Sequence, residues 1–440
     1  MKAIPIAVLA LALLNPSPYL IGAVSAADAG FSGKQSAGRP VTVSLDQALS
    51  RVYDNNPELM ISRLEAEAAA ARITQAGLKP NPELSLEAEN FPSIDGLGFA
   101  GYLESTILLS QRFEIGGKRG RRIKAAESYK SMADRATEVR KADITATTAS
   151  AFFAVLAEQE RLSNRRALTR LSQQYRSVVL DRIAAGKVAP VEQTLVEVEL
   201  ASVQMEEERQ KQNLSAAKSR LAAMWGGSSR DFDRVAGSFE IPPEPDSPSQ
   251  NCPDLELAEA AIIFRKTALM YEQAAAKPDI TLSAGFRHLN IENVSAFVFN
   301  VSIPLPVFDR RQGSIAEAKI LINKAASEKR ALERQLEAKL AEARHERDVA
   351  LLEANSLSRK ALPGAGEALS SVEEGYRLGK FTFMEVLAAQ RTYAVLQQRY
   401  IEAVASGLEA TVEINRLTHC DSSAKPPMYD AAIMEGHDER

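Results

Sequence analysis

An eight-residue pattern recurs in this chain. Ala-Gly-Lys-Val-Ala-Pro-Val-Glu at 185–192 is answered 193 residues later by Leu-Gly-Lys-Phe-Thr-Phe-Met-Glu at 378–385, each joining two long helical runs. The register holds upstream, where Leu109-Ser110-Gln111-Arg112-Phe113 before Gly120 matches Val301-Ser302-Ile303-Pro304-Leu305 before Gly313. Each copy reads as helix, two strands, very long helix, turn, helix. A unit holding both strands and helices is a duplicated half-molecule rather than a short solenoid repeat.

Local signals place the elements. Ser44 and Gln47 have capping-box spacing, and Leu45, Ala48, Leu49 and Val52 follow at helical period until Asn56-Pro57. Pro57 opens an Ala-rich helix that Leu78-Lys79-Pro80-Asn81-Pro82 stops. From Glu83 the period falls to two: Leu84, Leu86 and Ala88 oppose Glu83, Ser85, Glu87 and Glu89, and the return strand sets Leu103, Ile107 and Leu109 against Glu104, Thr106, Ser110 and Arg112. The second copy repeats this with Ile280, Leu282, Ala284 and Phe286, then Phe297, Phe299, Val301 and Ile303. After Gly116-Gly117 the chain meets, past Gly120, no Gly or Pro until Gly186. That predicts a helix of roughly 70 residues, about 100 Å at 1.5 Å per residue. Its return partner starts at Pro190 and ends near Trp225. The second copy predicts a long helix from Gln312 to Leu378 and a return helix from Thr382 to Thr418, with Leu387, Ala394, Ile401, Val404 and Leu408 as a packed seam. Pro363-Gly364 predicts a kink without counterpart in the first copy.

The expected segments are a signal peptide at 1–26, a flexible lead-in at 27–43, a first repeat at 44–226, a linker at 227–252, a second repeat at 253–420 and a tail at 421–440. The signal reading rests on Lys2, the apolar stretch Ile4 to Leu14, the breaker Asn15-Pro16 and small residues around Ser25-Ala26. No later stretch is apolar enough for a membrane-spanning helix, so any crossing must use strands. A formal net charge of -4 gives no electrostatic case for nucleic acid. Cys252 and Cys420 bracket the second copy, and either a disulfide or two free thiols fits that placement. His288, His345, His419 and His437 are scattered without ligand spacing, and no catalytic motif is present, so neither a resident metal nor an enzyme is expected.

Four amphipathic strands cannot close, and open edges in lipid leave backbone groups unpaired at several kcal/mol each. Two chains would pool eight strands into a narrow packed barrel, whereas three supply twelve and a lumen. The expected architecture is therefore mainly α with a membrane β-barrel: duplicated long α-hairpins plus four strands per chain, with a trimer forming a 12-stranded β-barrel on a 12-helix α-barrel.

Several stretches resemble a known family: Leu45-Asp46-Gln47-Ala48-Leu49, Asn56-Pro57-Glu58-Leu59, Leu78 to Leu84, Glu114-Ile115-Gly116-Gly117-Lys118-Arg119, Ile303 to Arg310, and Gly379-Lys380-Phe381. They are similar to the TolC-type outer-membrane efflux proteins, in particular the heavy-metal, CzcC- and CusC-like branch. The resemblance implies a trimeric duct in the Gram-negative outer membrane with a long periplasmic extension. It further implies docking to a periplasmic adaptor and an inner-membrane resistance-nodulation-division (RND) pump, with heavy-metal cations as cargo. Organic drugs are the alternative cargo, and a periplasmic coiled-coil scaffold is the alternative class. The turns at Gly186-Lys187 and Gly379-Lys380 would be adaptor-docking tips, although the tight turns alone account for the glycines. Glu192 and Glu385 would ring the periplasmic aperture, the alternative being helix-start acids complementing the dipole. Relatives carry a further acid where this chain has Ala388. The acids Glu83, Glu87, Glu89 and Glu104 would face the barrel lumen if the leucines face lipid. The basic run Lys118, Arg119, Arg121, Arg122 and Lys124, with Arg310 and Arg311 in the second copy, sits at helix starts, where cations oppose the dipole.

Overall fold

A computed structural model of the chain describes residues 41–90, 103–243 and 252–418. The expected signal peptide, the connection between the first two strands, His419, Cys420, His437 and the tail lie outside the described residues.

The order is β1 (Thr42–Val43), α1 (Leu45–Asn55), α2 (Pro57–Gly77), β2 (Glu83–Glu89), β3 (Glu104–Phe113), α3 (Lys118–Ala184) and α4 (Val191–Ala223). After β4 (Arg234–Val235) the pattern repeats with α5 (Pro253–Ala275), β5 (Ile280–Leu289), β6 (Val294–Ser302), α6 (Gln312–Ser356), α7 (Leu362–Arg377) and α8 (Phe383–Thr418). Capping chemistry explains the early boundaries. Ser44 and Gln47 form the reciprocal capping box, and the Asn56 carboxamide oxygen accepts from Glu58 N at 2.9 Å and Leu59 N at 3.3 Å, just where Pro57 needs no partner.

Helix α3 runs unbroken for 67 residues, about 100 Å at 1.5 Å per residue. Its counterpart divides into α6 and α7 around a π turn at Leu357–Ala361. Pro363 has no N–H for the carbonyl of Arg359, and the widened turn instead lets Leu362 N reach Leu357 O. The break in the repeat thus has a local cause.

The four long strands form one antiparallel sheet in the order β2-β3-β5-β6. Its central pair, β3 with β5, joins the two repeats through ten residues from Glu104↔Leu289 to Phe113↔Ile280. The helices follow the same order, α2 packing on α3, α3 on α5 and α5 on α6.

Two expected boundaries shift. Thr42–Val43, at the end of the expected lead-in, pairs in parallel with Arg234–Val235, inside the expected linker. Val43, Phe232 and Val235 are buried in a core with Leu49, Phe152, Leu221 and Trp225. Further along the linker, Ile241 fills the notch above Gly407, where an added Cβ would lie 2.3 Å from its Cδ1, and Arg347 donates to Pro242 O at 3.0 Å. Two-residue strands carry no readable period, which is why sequence placed these segments outside the folded repeats.

The basic run also reads differently in three dimensions. Arg119 Nε donates to Gly77 O at 2.6 Å, and Arg122 donates to Ala76 O and Leu78 O at 2.8 and 2.9 Å while forking onto Glu114. These cations sit at the C-terminus of α2, the favourable end of a helix dipole, and satisfy its last carbonyls. Lys118 pairs with Asp279 at 2.6 Å, and Arg311 with Glu272 at 3.4 Å. Arg119 and Arg122, whose charge opposes one helix, complete another.

At the far side of the second repeat, Arg416 near the end of α8 pairs with Asp143 at 2.6 Å and Asp254 at 2.7 Å. Burial pushes the Asp254 carboxyl up, but Arg416 outweighs it and holds the group below its usual range. Cys252 is buried there and donates Sγ–H to Asp254 Oδ2 at 3.3 Å; Cys420 lies outside the described residues.

Arg122→Ala should strip three groups of their partner at once and lower folded-state stability by roughly 2–3 kcal/mol, the scale of charge-assisted hydrogen bonds. A denaturant midpoint for the detergent-solubilised protein reads the change, and Arg122→Lys, which keeps charge without the fork, should recover little of it.

Candidate functional site

Two places carry the chemistry: the sheet and the helical tip. Strand pleating sorts the sheet into faces. One face aligns Leu86, Ile107, Phe286 and Phe297 in a single cross-strand row, and Leu84, Leu109, Ala284 and Phe299 in the next. These side chains stand in the open: Leu84 is 66% exposed, Leu86 72%, Phe286 64% and Phe299 61%. A single-sided layer of exposed Leu and Phe cannot be a water-facing surface of this extent.

The opposite face holds Glu83, Glu87, Glu89 and Glu104, brought onto one side as the alternation required. Glu89 and Glu104 are direct cross-strand partners. Arg287 answers that repulsion, lying 3.8 Å from Glu89 and 3.5 Å from Glu104 and donating to Thr106 Oγ1 at 3.0 Å. Glu83 and Glu87 form no ion pair among the described residues. Sequence could not identify Arg287 as the counter-ion, because its partners lie more than 180 residues away. His288, at the sheet's outer end, meets Ser295 Oγ at 3.2 Å. Among the described residues no group of three or more His, Cys, Asp or Glu is placed to hold a metal ion.

At the tip, the two Gly-Lys turns have the same geometry. Gly186 and Gly379 adopt φ of 69° and 77°. In the first turn Gly186 N donates to Ile183 O and Lys187 N to Arg182 O; in the second, Gly379 N donates to Tyr376 O and Lys380 N to Gly375 O. This is a Schellman end, whose left-handed residue is cheap only for glycine. Both lysine side chains are exposed.

The two glutamates, by contrast, differ. Glu385 closes a capping box on its own helix: Thr382 N and Oγ1 both donate to its carboxylate, at 2.7 and 2.8 Å. Those bonds hold its carboxyl below the usual range. Glu192, half-buried, instead accepts from Tyr376 Oη at 3.0 Å, across from the other repeat. Arg182 stacks on the same ring at 4.4 Å and donates to Tyr376 O. Below them Tyr175, Val179, Val196, Phe383, Val386 and Leu387 form a buried cluster. Tyr376 therefore fastens one hairpin to the other. Its role escaped the sequence because the octapeptide begins two residues after it, and the first copy has Ile183 at the matching place.

A sheet with one lipid-compatible and one acidic face, mounted on helices of about 100 Å, defines a membrane-anchored duct protein. The sequence profile described as outer membrane efflux protein matches residues 48–227 and 245–418. The cobalt-zinc-cadmium resistance protein CzcC of Cupriavidus metallidurans is 31% identical over 420 residues, covering 93% of this chain and 97% of that protein. The nickel-cobalt-cadmium resistance protein NccC of Alcaligenes xylosoxydans xylosoxydans is 25% identical over 290 residues, 63% of each chain. Among solved structures, CusC superposes with a TM-score of 0.72 at 17% identity, covering 88% of this chain and 95% of its own. VceC of Vibrio cholerae gives 0.69 at 17%, covering 85% and 95%. The chain belongs to the outer membrane efflux protein family. It is an outer-membrane efflux channel with a periplasmic helical extension, a conduit rather than an enzyme.

Burial, then the bond to Glu192, pushes the Tyr376 phenol from 10.0 up to about 12. The folded tip holds the protonated phenol, so this contribution is complete below the unfolded pKa and is lost as pH rises through the folded one. Thermal melting across the alkaline range should show that loss in the parent, and Tyr376→Phe should abolish this component of it.

Proposed function

We propose that three copies of this chain close into the outer-membrane duct of a tripartite system and carry heavy-metal cations from the cell to the outside. The partners are a periplasmic adaptor, a membrane fusion protein that docks at the Gly186-Lys187 and Gly379-Lys380 turns, and an inner-membrane RND pump. The apolar face of the sheet meets outer-membrane lipid, and the acids Glu83, Glu87, Glu89 and Glu104 face the lumen.

Closure is supported by the shared order of strands and helices. The flanks left unpaired are β2 with α2 and β6 with α6, so one seam between copies serves both layers. On the α2 flank Met60, Ile61 and Leu64 are exposed, and on the α6 flank Ile320 is. Three copies give twelve strands, enough for a solvent-filled lumen. At the aperture, Glu192 and Glu385 supply carboxylates, and their ties to Tyr376 and Thr382 make them elements of a shaped opening as well as charge.

The likeness that carries the metal reading is the one to CzcC, extending over nearly its full length. The discriminating experiment is a deletion strain challenged with cobalt, zinc and cadmium salts and, separately, with organic drugs. Loss of metal tolerance restored by the parent gene is the expected outcome; unchanged metal tolerance with lost drug tolerance would sink the metal cargo and leave the duct. Membrane insertion has its own check. Leu84→Arg and Phe299→Arg place a cation on the lipid face at about 2–4 kcal/mol each near the bilayer midplane, and should reduce the heat-modifiable trimer in outer-membrane fractions. Undiminished trimer would reverse the facing of the sheet.

A further inference from the structure

Where β6 gives way to α6, the chain has no cover. Every residue from Val301 to Arg310 is exposed, and the stretch is apolar: Leu305 is 78% exposed, Val307 58% and Phe308 90%. Asp309 ends it, with one carboxylate oxygen accepting from Arg311 N at 2.8 Å.

On the opposite flank, at the foot of β2, lies an open cavity of about 470 Å³. Ala76, Leu78 and Pro80 give it apolar wall, and Arg72, Lys79 and Arg112 stand around it. Glu114 and Arg122 also line it, but they answer each other. Arg72 lies over the Tyr129 ring at 4.8 Å, and none of Arg72, Lys79 and Arg112 forms an ion pair among the described residues. The cavity therefore has a net excess of three positive charges beside an apolar wall.

We propose that this cavity is a socket for the foot Ile303–Asp309 of the next copy, with Leu305 and Phe308 on the apolar wall and Asp309 against Lys79 and Arg112. The inference rests on the trimeric reading above and names how its seam is locked. Strands alternate in direction around the sheet, so β6 of one copy runs antiparallel to β2 of the next. The residues leaving β6 then travel back along the residues entering β2. Seven residues reach at most about 23 Å, and the turn in which Val307 N donates to Leu305 O at 2.9 Å shortens the foot toward the span of about 16 Å of the five-residue lead-in 78–82. Pro304 and Pro306 on one side, and Pro80 and Pro82 on the other, lack N–H donors, so these segments cannot extend the strand ladder and must meet through side chains. Shape, polarity and charge of the two flanks are complementary.

The test uses full-length protein in detergent with Cys252 and Cys420 replaced by Ser. Lys79→Cys combined with Phe308→Cys, treated with a short bis-maleimide, should give covalent dimers and trimers on denaturing gels, and neither single variant should. In the otherwise native chain, Asp309→Arg should lower the temperature at which the trimer dissociates, and adding Arg112→Asp should bring it back. Parent protein that is monomeric by native mass would overturn both this inference and the trimeric reading. A stable parent trimer with no cross-linking and no effect of Asp309→Arg overturns the socket alone. So does co-purified phospholipid that is lost from Lys79→Ala/Arg112→Ala while cross-links are absent, which would make a lipid phosphate the occupant.

Discussion

The backbone of β2 and β6 sets the terms for everything else. Each is an edge of a four-stranded sheet whose apolar face requires hydrocarbon, and in hydrocarbon no water can satisfy an unpaired N–H or C=O. Among the described residues of a single chain nothing covers those edges. The sheet is too narrow to curl on itself, and the chain supplies no helix that could span a bilayer in its place among the described residues. The duplication brings the solution halfway: pairing β3 with β5 turns two marginal hairpins into one sheet and leaves two edges instead of four. The association of copies proposed above would be the remaining half.

The helices inherit that solution. Because they stack in the same order as the strands, the flanks that would meet in lipid in the proposed trimer continue into flanks that would meet in water. The forces differ along that line. In the sheet they would be backbone hydrogen bonds, along the helices small apolar contacts, and between the two layers is a stretch where prolines rule out the first and helical packing has not begun. Such a junction is mechanically weak unless side chains hold it. Within one chain the structure already solves this problem with charge: Arg119 and Arg122 pin the end of α2, and Lys118 pins the residue before β5.

How much of this was readable in advance follows the range of the interaction. The capping box at Ser44, the helix start at Pro57, the strand faces and the disruption around Pro363 are set by neighbours a few residues apart, and sequence places each of them. What it missed connects distant segments. Arg122 looked misplaced at the start of α3 because its beneficiary, the end of α2, is more than 40 residues upstream. Arg287 needed Glu104, and Tyr376 needed Glu192, each about 180 residues away. Val43 and Val235 gave no signal because a two-residue strand has no alternation to read. The octapeptide repeat likewise suggested equal roles for Glu192 and Glu385, but only the second has Thr three residues before it to complete a capping box.

That inequality bears on the tip. In a strictly symmetric duplication, three chains would present six identical hairpins, and any force that moved one would move all. Here the second hairpin carries the π turn and Pro363, which divide its long helix, while α3 is unbroken. The π turn lies about 15 residues before Tyr376, the residue whose ring and hydroxyl tie the second hairpin to Arg182 and Glu192 of the first. The tie between the two hairpins consists of polar contacts worth a few kcal/mol at most. The repeat makes the two hairpins alike; the π turn, Tyr376 and the Thr382–Glu385 capping box are where they differ.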